Sequence, residues 1–339
     1  MADKQLALIT GVSGFIAKHI ALRFLQAGWS VRGTLRSMDR AAEVRKALAP
    51  HVTDTVLENL SFVVADLTDD TGWAEAARGA QVLIHTASPF PMSQPKDAND
   101  LVRPAVEGTL RALRAAYAAG IRRAVVTSST IAVINENKRG IQDEADWCDL
   151  NTPGTSAYAM SKTLAERAAW KFVERDGAGM QLTCINPGLV MGPPLDANFG
   201  TSLSIVQRVL RGRDPMLPMI GLVCVDVRDV AEMHLRAVLR PETAGKRYLA
   251  AAGSMTMPDM GLVLKTAYPH RRIPTRVAPL FLLKVLALFD PAVRGILPSV
   301  GRLQEVSNAR AVREMGIRFI EPAEALMASA EWLISNGTV

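Results

Sequence analysis

Through the first half of the 339-residue chain, short apolar runs alternate with longer stretches of helical period, and turn residues separate them. Leu6–Thr10 carries no charge and breaks at Gly11, so it reads as a buried strand. From Phe15 onward, Ile16, Ile20, Phe24 and Ala27 recur at helical spacing, and the run stops at Gly28, where a C′ glycine belongs. Ser30–Leu35 reads as a second strand, and further strands are expected at 61–65, 81–85, Arg123–Thr127 and 181–185. Helices fill the intervals. The longest covers about 100–119 and is closed by Gly120; another covers 156–174. A chain alternating in this way builds β-α-β units with right-handed crossovers, so the fold class is α/β with a doubly wound parallel sheet.

After Asn186-Pro187-Gly188 the alternation loosens, and Pro193-Pro194 marks an irregular segment. The last third is mostly helical, with a short strand near 247–251. Residues 1–187 are therefore expected to form a nucleotide-binding domain, with later segments at about 222–240 returning to it. Residues 188–339 should form mainly a smaller, mostly helical substrate lobe over the carboxyl edge of the sheet, where open α/β sheets bind ligands. A hydrophobic content of 49% excludes disorder as the dominant state. A dispersed net charge of +6 and only 5% aromatics argue against a nucleic-acid partner. The longest apolar stretch, 277–289, is broken by Lys284 and falls short of the roughly 20 residues a bilayer span needs. No membrane partner is expected, and the stretch reads as a core or pocket helix. Cys148, Cys184 and Cys224 are odd in number and lack metal-ligand spacing, so no metal is expected. Reduced thiols and the lack of a signal-like N-terminus point to a cytoplasmic location.

Four motifs sit where a dinucleotide would lie. Thr10-Gly11-Val12-Ser13-Gly14-Phe15-Ile16-Ala17 follows a strand and opens a helix. Glycines there allow close approach of a pyrophosphate, whose charge the free helix-start N–H groups receive; Gly11, Ser13, Gly14, Phe15 and Ile16 are the candidates, and the sheet becomes Rossmann-type. The end of the second strand carries Arg36 and Arg40 instead of the acidic residue that would hold a ribose diol. One helical turn apart, both guanidiniums can converge on a 2′-phosphate, so NADP(H) is the expected cofactor. Asp66 can accept from the adenine amino group while Leu67 covers the ring. Thr86, Ala87 and Ser88 after the fourth strand are small enough for the cofactor to pass. His85 reads as a structural residue rather than a catalytic one.

Tyr158 and Lys162 lie four residues apart at the start of a helix, on one face. A cation beside the phenol favours phenolate and would lower a pKa that is ordinarily near 10. Lys162 can also bind the nicotinamide ribose. Thr127, Ser128 and Ser129 close the fifth strand, where a hydroxyl can hold a substrate carbonyl oxygen near the phenol.

Taken together, these residues resemble the extended short-chain dehydrogenase/reductase superfamily over nearly the whole chain. The turn at Thr10, His85-Thr-Ala-Ser-Pro, Thr127-Ser-Ser, Tyr158-Ala-Met-Ser-Lys-Thr-Leu-Ala-Glu166 and Asn186-Pro-Gly-Leu-Val-Met-Gly-Pro193 are similar to the dihydroflavonol reductase, cinnamoyl-CoA reductase and yeast methylglyoxal (aldehyde) reductase branch. The resemblance implies NADPH-dependent reduction of an aldehyde or ketone, and the reverse oxidation of an alcohol. In that scheme Ser129 orients the carbonyl, Tyr158 gives the proton and Lys162 supports both, with Pro187 and Val190 beside the nicotinamide carboxamide. Two features depart from the pattern. Ala17 replaces a frequent third glycine, and Ile131-Ala-Val-Ile follows Thr130 where epimerases of the superfamily carry Val-Tyr-Gly. Phe90, Met92, Thr130, Ile131, Met191 and Phe199 are candidates to line the substrate pocket, and their apolar character favours hydrophobic or aryl carbonyls. A nucleotide-sugar epimerase or a hydroxysteroid dehydrogenase remains open, as does a non-catalytic NADP(H)-sensing regulator. The expected partner is a small-molecule carbonyl or alcohol, and the expected state is monomer or homodimer.

Overall fold

The structure, a computed structural model, describes residues 5–89 and 97–339. Its first half contains β1 (Leu6–Thr10), α1 (Phe15–Gln26), β2 (Ser30–Leu35), α2 (Ala41–Leu48), the one-turn α3 (Asp54–Leu57), β3 (Leu60–Val64), α4 (Trp73–Ala77), β4 (Val82–His85), α5 (Asn99–Ala118), β5 (Arg123–Thr127), α6 (Ala157–Arg175) and β6 (Gln181–Pro187). There follow β7 (Leu189–Met191), α7 (Gly200–Arg211), β8 (Gly221–Asp226), α8 (Val227–Leu239), β9 (Lys246–Ala250), β10 (Gly253–Thr256), α9 (Met257–Ala267), α10 (Leu280–Leu286), α11 (Pro291–Ile296) and α12 (Pro322–Ser335).

Seven strands form one sheet in the order β3-β2-β1-β4-β5-β6-β9, and every neighbouring pair is parallel. This is the Rossmann-like, doubly wound α/β arrangement that the alternation predicts. The period of two along a strand divides the core between its faces. On β1, Ala7 and Ile9 join the cluster built with α1 and α8, whereas Leu8 joins the one built with α4, α5 and α6. The strand order reverses between β1 and β4, which opens a crevice at their carboxyl ends. A second sheet, β10-β8-β7, stands beyond that edge with α7, α9 and α12 packed around it.

Long-range pairing alters two of the sequence expectations. The strand expected at 181–185 runs on to Pro187, because β9 returns from much later in the chain and pairs with it as far as Pro187 opposite Ala250. The apolar stretch 277–289 is not a core helix. Apart from Ala278 ahead of the helix, Leu283 and Ala287, one helical turn apart, are the buried residues of the stretch, while Phe281 is 72% and Phe289 81% exposed. Among the described residues, no helix is long and apolar enough to cross a membrane, and no group of three His, Cys, Asp or Glu could hold a metal ion. The three cysteines are buried and free.

Candidate active site

The β1–α1 turn faces the crevice. Gly11 has φ +64, and a Cβ there would stand 3.0 Å from the Ala87 Cβ, so both its conformation and the close passage of the turn after β4 require glycine. Gly14 caps α1 in an extended conformation and supplies no side-chain acceptor, and the first turn holds no acidic residue. The N–H groups at the start of α1 are therefore left for an outside anion. Residues remote in sequence hold this turn in place. Lys18, 1% exposed, pairs with Asp196; the Asn198 Nδ2 donates to the Ser13 carbonyl at 2.8 Å; and the His19 Nε2 lies 3.0 Å from the Pro193 carbonyl. The segment after β7 is thus strapped across the back of the turn.

One cleft of about 230 Å³ is bordered by Gly11, Gly14, Phe15, Ile16, Thr86, Ser88, Thr127, Ser129, Tyr158, Lys162, Pro187 and Val190. The topology brings all of these sequence candidates to one crevice from the ends of β1, β4, β5 and β6, the starts of α1 and α6, and β7. Thr10 ties the β1 and β4 ends together, because its Oγ1 accepts from the Thr86 and Ala87 N–H groups at 3.1 and 3.0 Å. His85 lies between the Thr10 and Thr109 hydroxyls at 3.0 and 3.3 Å, and burial pushes its imidazole down to about 3. It is a neutral structural group, in keeping with the sequence reading. The Thr127 Oγ1 is held from behind by the His234 Nε2 at 2.7 Å.

Other candidates lie elsewhere. Ser13 and Ala87 are not part of the cleft wall. Arg36 is exposed at the end of β2; hydrogen bonds from the Thr68 hydroxyl and N–H, with a smaller contribution from the Arg36 charge, hold the Asp66 carboxyl below its usual range. Leu67 packs over Gly108 of α5. Arg40 does not stand free beside Arg36 as the spacing suggests: its Nε and Nη2 donate to Glu43 at 2.6 and 2.8 Å, because α2 places that carboxylate three residues on. Met191 is not a pocket residue either. It is fully buried in β7, inside the core cluster against α1 and α8. Thr130 is 5% exposed and starts a 3-10 turn behind Ser129, outside the cleft wall. Phe90 and Met92 lie outside the described residues.

Three wall residues, Gly200, Thr201 and Ser202, went unrecognised in the sequence. Ala17, Ser128 and Gly188, which stand in the motifs quoted above, border the same cleft, and Phe199, which was assigned only to the substrate pocket, joins them there. The only local signal for the 199–202 segment is Phe199-Gly200 ahead of the helical period of α7, with Gly200 at φ +69.

The reactive set is assembled by β5 and α6. Ser156 caps α6, its Oγ accepting from the Ala159 N–H at 3.1 Å, and this fixes Tyr158 in the first turn with Lys162 one turn further on. The Tyr158 hydroxyl is hydrogen-bonded to the Ser129 side chain. The neighbouring Ser128 also borders the cleft, but its hydroxyl is committed elsewhere, its Oγ donating to Glu166 at 2.5 Å, so the geometry distinguishes the two serines. Burial pushes the Tyr158 phenol up to about 12, a rise the Ser129 hydrogen bond only partly offsets, and pushes the Lys162 ammonium down to about 8. The expectation that the ammonium acidifies the phenol therefore needs correction. The Lys162 Nζ is 5.9 Å from the Tyr158 ring centroid, and loss of solvent, opposed by the Ser129 hydrogen bond, sets the direction of the shift. The result is a phenol that stays protonated at neutral pH and can act as a proton donor.

Comparison with known proteins agrees with this architecture. The profile of the NAD dependent epimerase/dehydratase family matches residues 7–251. Cinnamoyl-CoA reductase 1 of Petunia hybrida is 34% identical over 281 residues, covering 80% of each chain. Dihydroflavonol 4-reductase of Zea mays is 30% identical over 286 residues, 81% of this chain and 78% of that protein. Among solved structures, yeast methylglyoxal/isovaleraldehyde reductase Gre2 complexed with NADPH is 27% identical, superposes with a TM-score of 0.81, and covers 99% of this chain and 100% of its own. With the parallel sheet, the glycine turn and the Ser129–Tyr158–Lys162 set in one cleft, the chain belongs to the NAD dependent epimerase/dehydratase family, as an extended short-chain dehydrogenase/reductase.

Proposed function

We propose that the protein is an NADPH-dependent carbonyl reductase that converts a hydrophobic or aryl aldehyde or ketone to an alcohol and catalyses the reverse oxidation. The observation that carries this reading is the Ser129–Tyr158 hydrogen bond on the wall of a cleft whose other side is the uncapped start of α1. The donor chemistry fits the cofactor. Uncapped N–H groups suit a pyrophosphate, and Arg36 and Arg40 suit a 2′-phosphate. Bound NADPH would supply the hydride. The chain's own part is to place and protonate the acceptor oxygen. Ser129 donates to the carbonyl oxygen and holds it against Tyr158, the phenol transfers its proton to that oxygen as the alkoxide develops, and Lys162 stabilises the resulting phenolate. Residues 1–187 would provide the cofactor site and the later segments most of the substrate wall, with Phe199 packed edge-on against Trp332 at the border between them.

The reading is tested by following NADPH consumption by the purified protein with a panel of aryl and aliphatic aldehydes and ketones. Turnover that prefers NADPH to NADH is expected. Absence of turnover across the panel would overturn it. NAD that stays bound through purification, with activity on nucleotide sugars, would replace it with an epimerase.

A further inference from the structure

Behind the catalytic pair lies a buried charge that the reaction scheme above does not use. Glu166 follows Lys162 by one turn of α6, and its side chain is fully buried. Its carboxylate accepts from four directions: Arg247 Nε of β9 at 2.6 Å, the Ser128 Oγ at the end of β5 at 2.5 Å, the Asn186 Nδ2 of β6 at 2.7 Å, and the Trp170 Nε1 at 3.4 Å. The same Asn186 amide donates to the Ser129 carbonyl at 3.1 Å. Arg247 is in turn fixed from outside. Its Nη1 donates to the carbonyls of Glu144 and Asp146 at 3.1 and 2.7 Å, and its guanidinium stacks 3.7 Å from the Trp147 ring.

We propose that Glu166, anchored by Arg247, is a positioning residue for this site: it locks the strand ends that carry Ser129 and Pro187 and keeps the half-buried Lys162 side chain cationic. The inference rests on the carbonyl-reductase reading. The groups around Lys162 show why the charge matters. From β4 it faces His85, which burial keeps neutral, and from its own helix it faces Tyr158, which burial keeps protonated; on the Glu166 side, β6 contributes Cys184, whose thiol is pushed up by burial and lies against Glu166 rather than Lys162. β9 contributes the cation Arg247, which is paired to Glu166. Among the described residues, Glu166 is the anion that acts on Lys162, and it opposes the desolvation that drives the ammonium toward neutrality.

A buried ion pair can also be merely structural, because removing one partner strands the other. Four proteins separate the two roles: wild type, Glu166→Gln, Arg247→Met and the double variant. Two readouts are used, kcat against pH for an aryl aldehyde, and an NMR titration of the Lys162 ε-carbon in cofactor-free protein, with Lys162→Met for assignment. Glu166→Gln should lower kcat about tenfold or more and move the Lys162 midpoint down by about one pH unit or more. The double variant, with no stranded cation, should recover the thermal stability lost in the single variants but keep the lowered midpoint and the slow turnover. Recovery of both to wild-type values in the double variant would overturn the proposal, and so would an unmoved midpoint in either Glu166 variant. If Glu166→Gln alone does not fold, the double variant decides. If the wild type reduces no carbonyl compound, the functional reading fails on its own, and the NMR titration still judges the role of Glu166.

Discussion

Arg40 is held by Glu43 in a two-point ion pair, with Nε and Nη2 at 2.6 and 2.8 Å from the carboxylate oxygens. A 2′-phosphate reaching Arg40 must therefore share it with, or take it from, an anion already in place, whereas Arg36 is exposed and faces Asp66 only through space. Glu43→Gln should tighten NADPH binding roughly two- to fivefold, in line with an exposed pair worth about 0.2–1 kcal/mol, and leave NADH unchanged. Arg36→Asp should reverse or abolish the NADPH preference. Fluorescence titration with both nucleotides checks each variant; equal gains for NADH and NADPH in Glu43→Gln would contradict the sharing of Arg40.

Tyr158 is placed as the proton donor, and its hydroxyl is already bonded to Ser129. Tyr158→Phe keeps the ring and removes only the hydroxyl. It should lower kcat/KM by about 10²–10⁴ and leave the NADPH dissociation constant within about twofold. Steady-state kinetics beside a binding titration make the check, and a variant that retained most of its turnover would remove Tyr158 from the chemistry.

The buried Lys18–Asp196 pair couples the cofactor turn to the segment that leads into α7. Asp196→Asn leaves a buried ammonium without its counterion and should cost about 3 kcal/mol of stability, with weaker NADPH binding because the 199–202 wall loses its strap. The double variant Lys18→Met/Asp196→Leu should regain most of the stability. Chemical denaturation and nucleotide titration of all three variants test this; a stable Asp196→Asn protein with normal NADPH affinity would show that the strap does not depend on the pair.

Three buried histidines set the response to acid. Burial pushes His19 and His234 down to about 4 and His85 to about 3, so the folded chain keeps them neutral while the unfolded chain protonates them below about pH 6.5. The unfolded state then binds more protons, and stability falls as the pH drops from about 6.5 toward 4. Each histidine contributes on the order of 3 kcal/mol to that loss, and above about pH 6.5 their contribution is fully retained. Urea denaturation from about pH 7.5 to 4.5 should show this slope. His234→Gln should flatten it while costing some stability at neutral pH, because the ring bridges Thr127 and the Val230 carbonyl. A slope unchanged by that substitution would exclude His234 from the acid response.

The sequence by itself determined the parts that are encoded locally. Apolar period and the glycine stops placed β1, β2 and β5 at their observed limits, and the Tyr158–Lys162 spacing put both side chains on one helical face. It could not order the strands or show which distant groups meet. The pairing of Glu166 with Arg247 and of Lys18 with Asp196 spans 81 and 178 residues, and no local period records either. Met191 and Thr130 look like pocket residues as a string, yet they are buried away from the cleft, because turning a strand or loop end by one residue exchanges core for crevice. The protonation of the phenol was likewise a tertiary decision. The neighbouring lysine can be read from four-residue spacing, but the loss of solvent that raises the phenol exists only once the fold has closed around the ring.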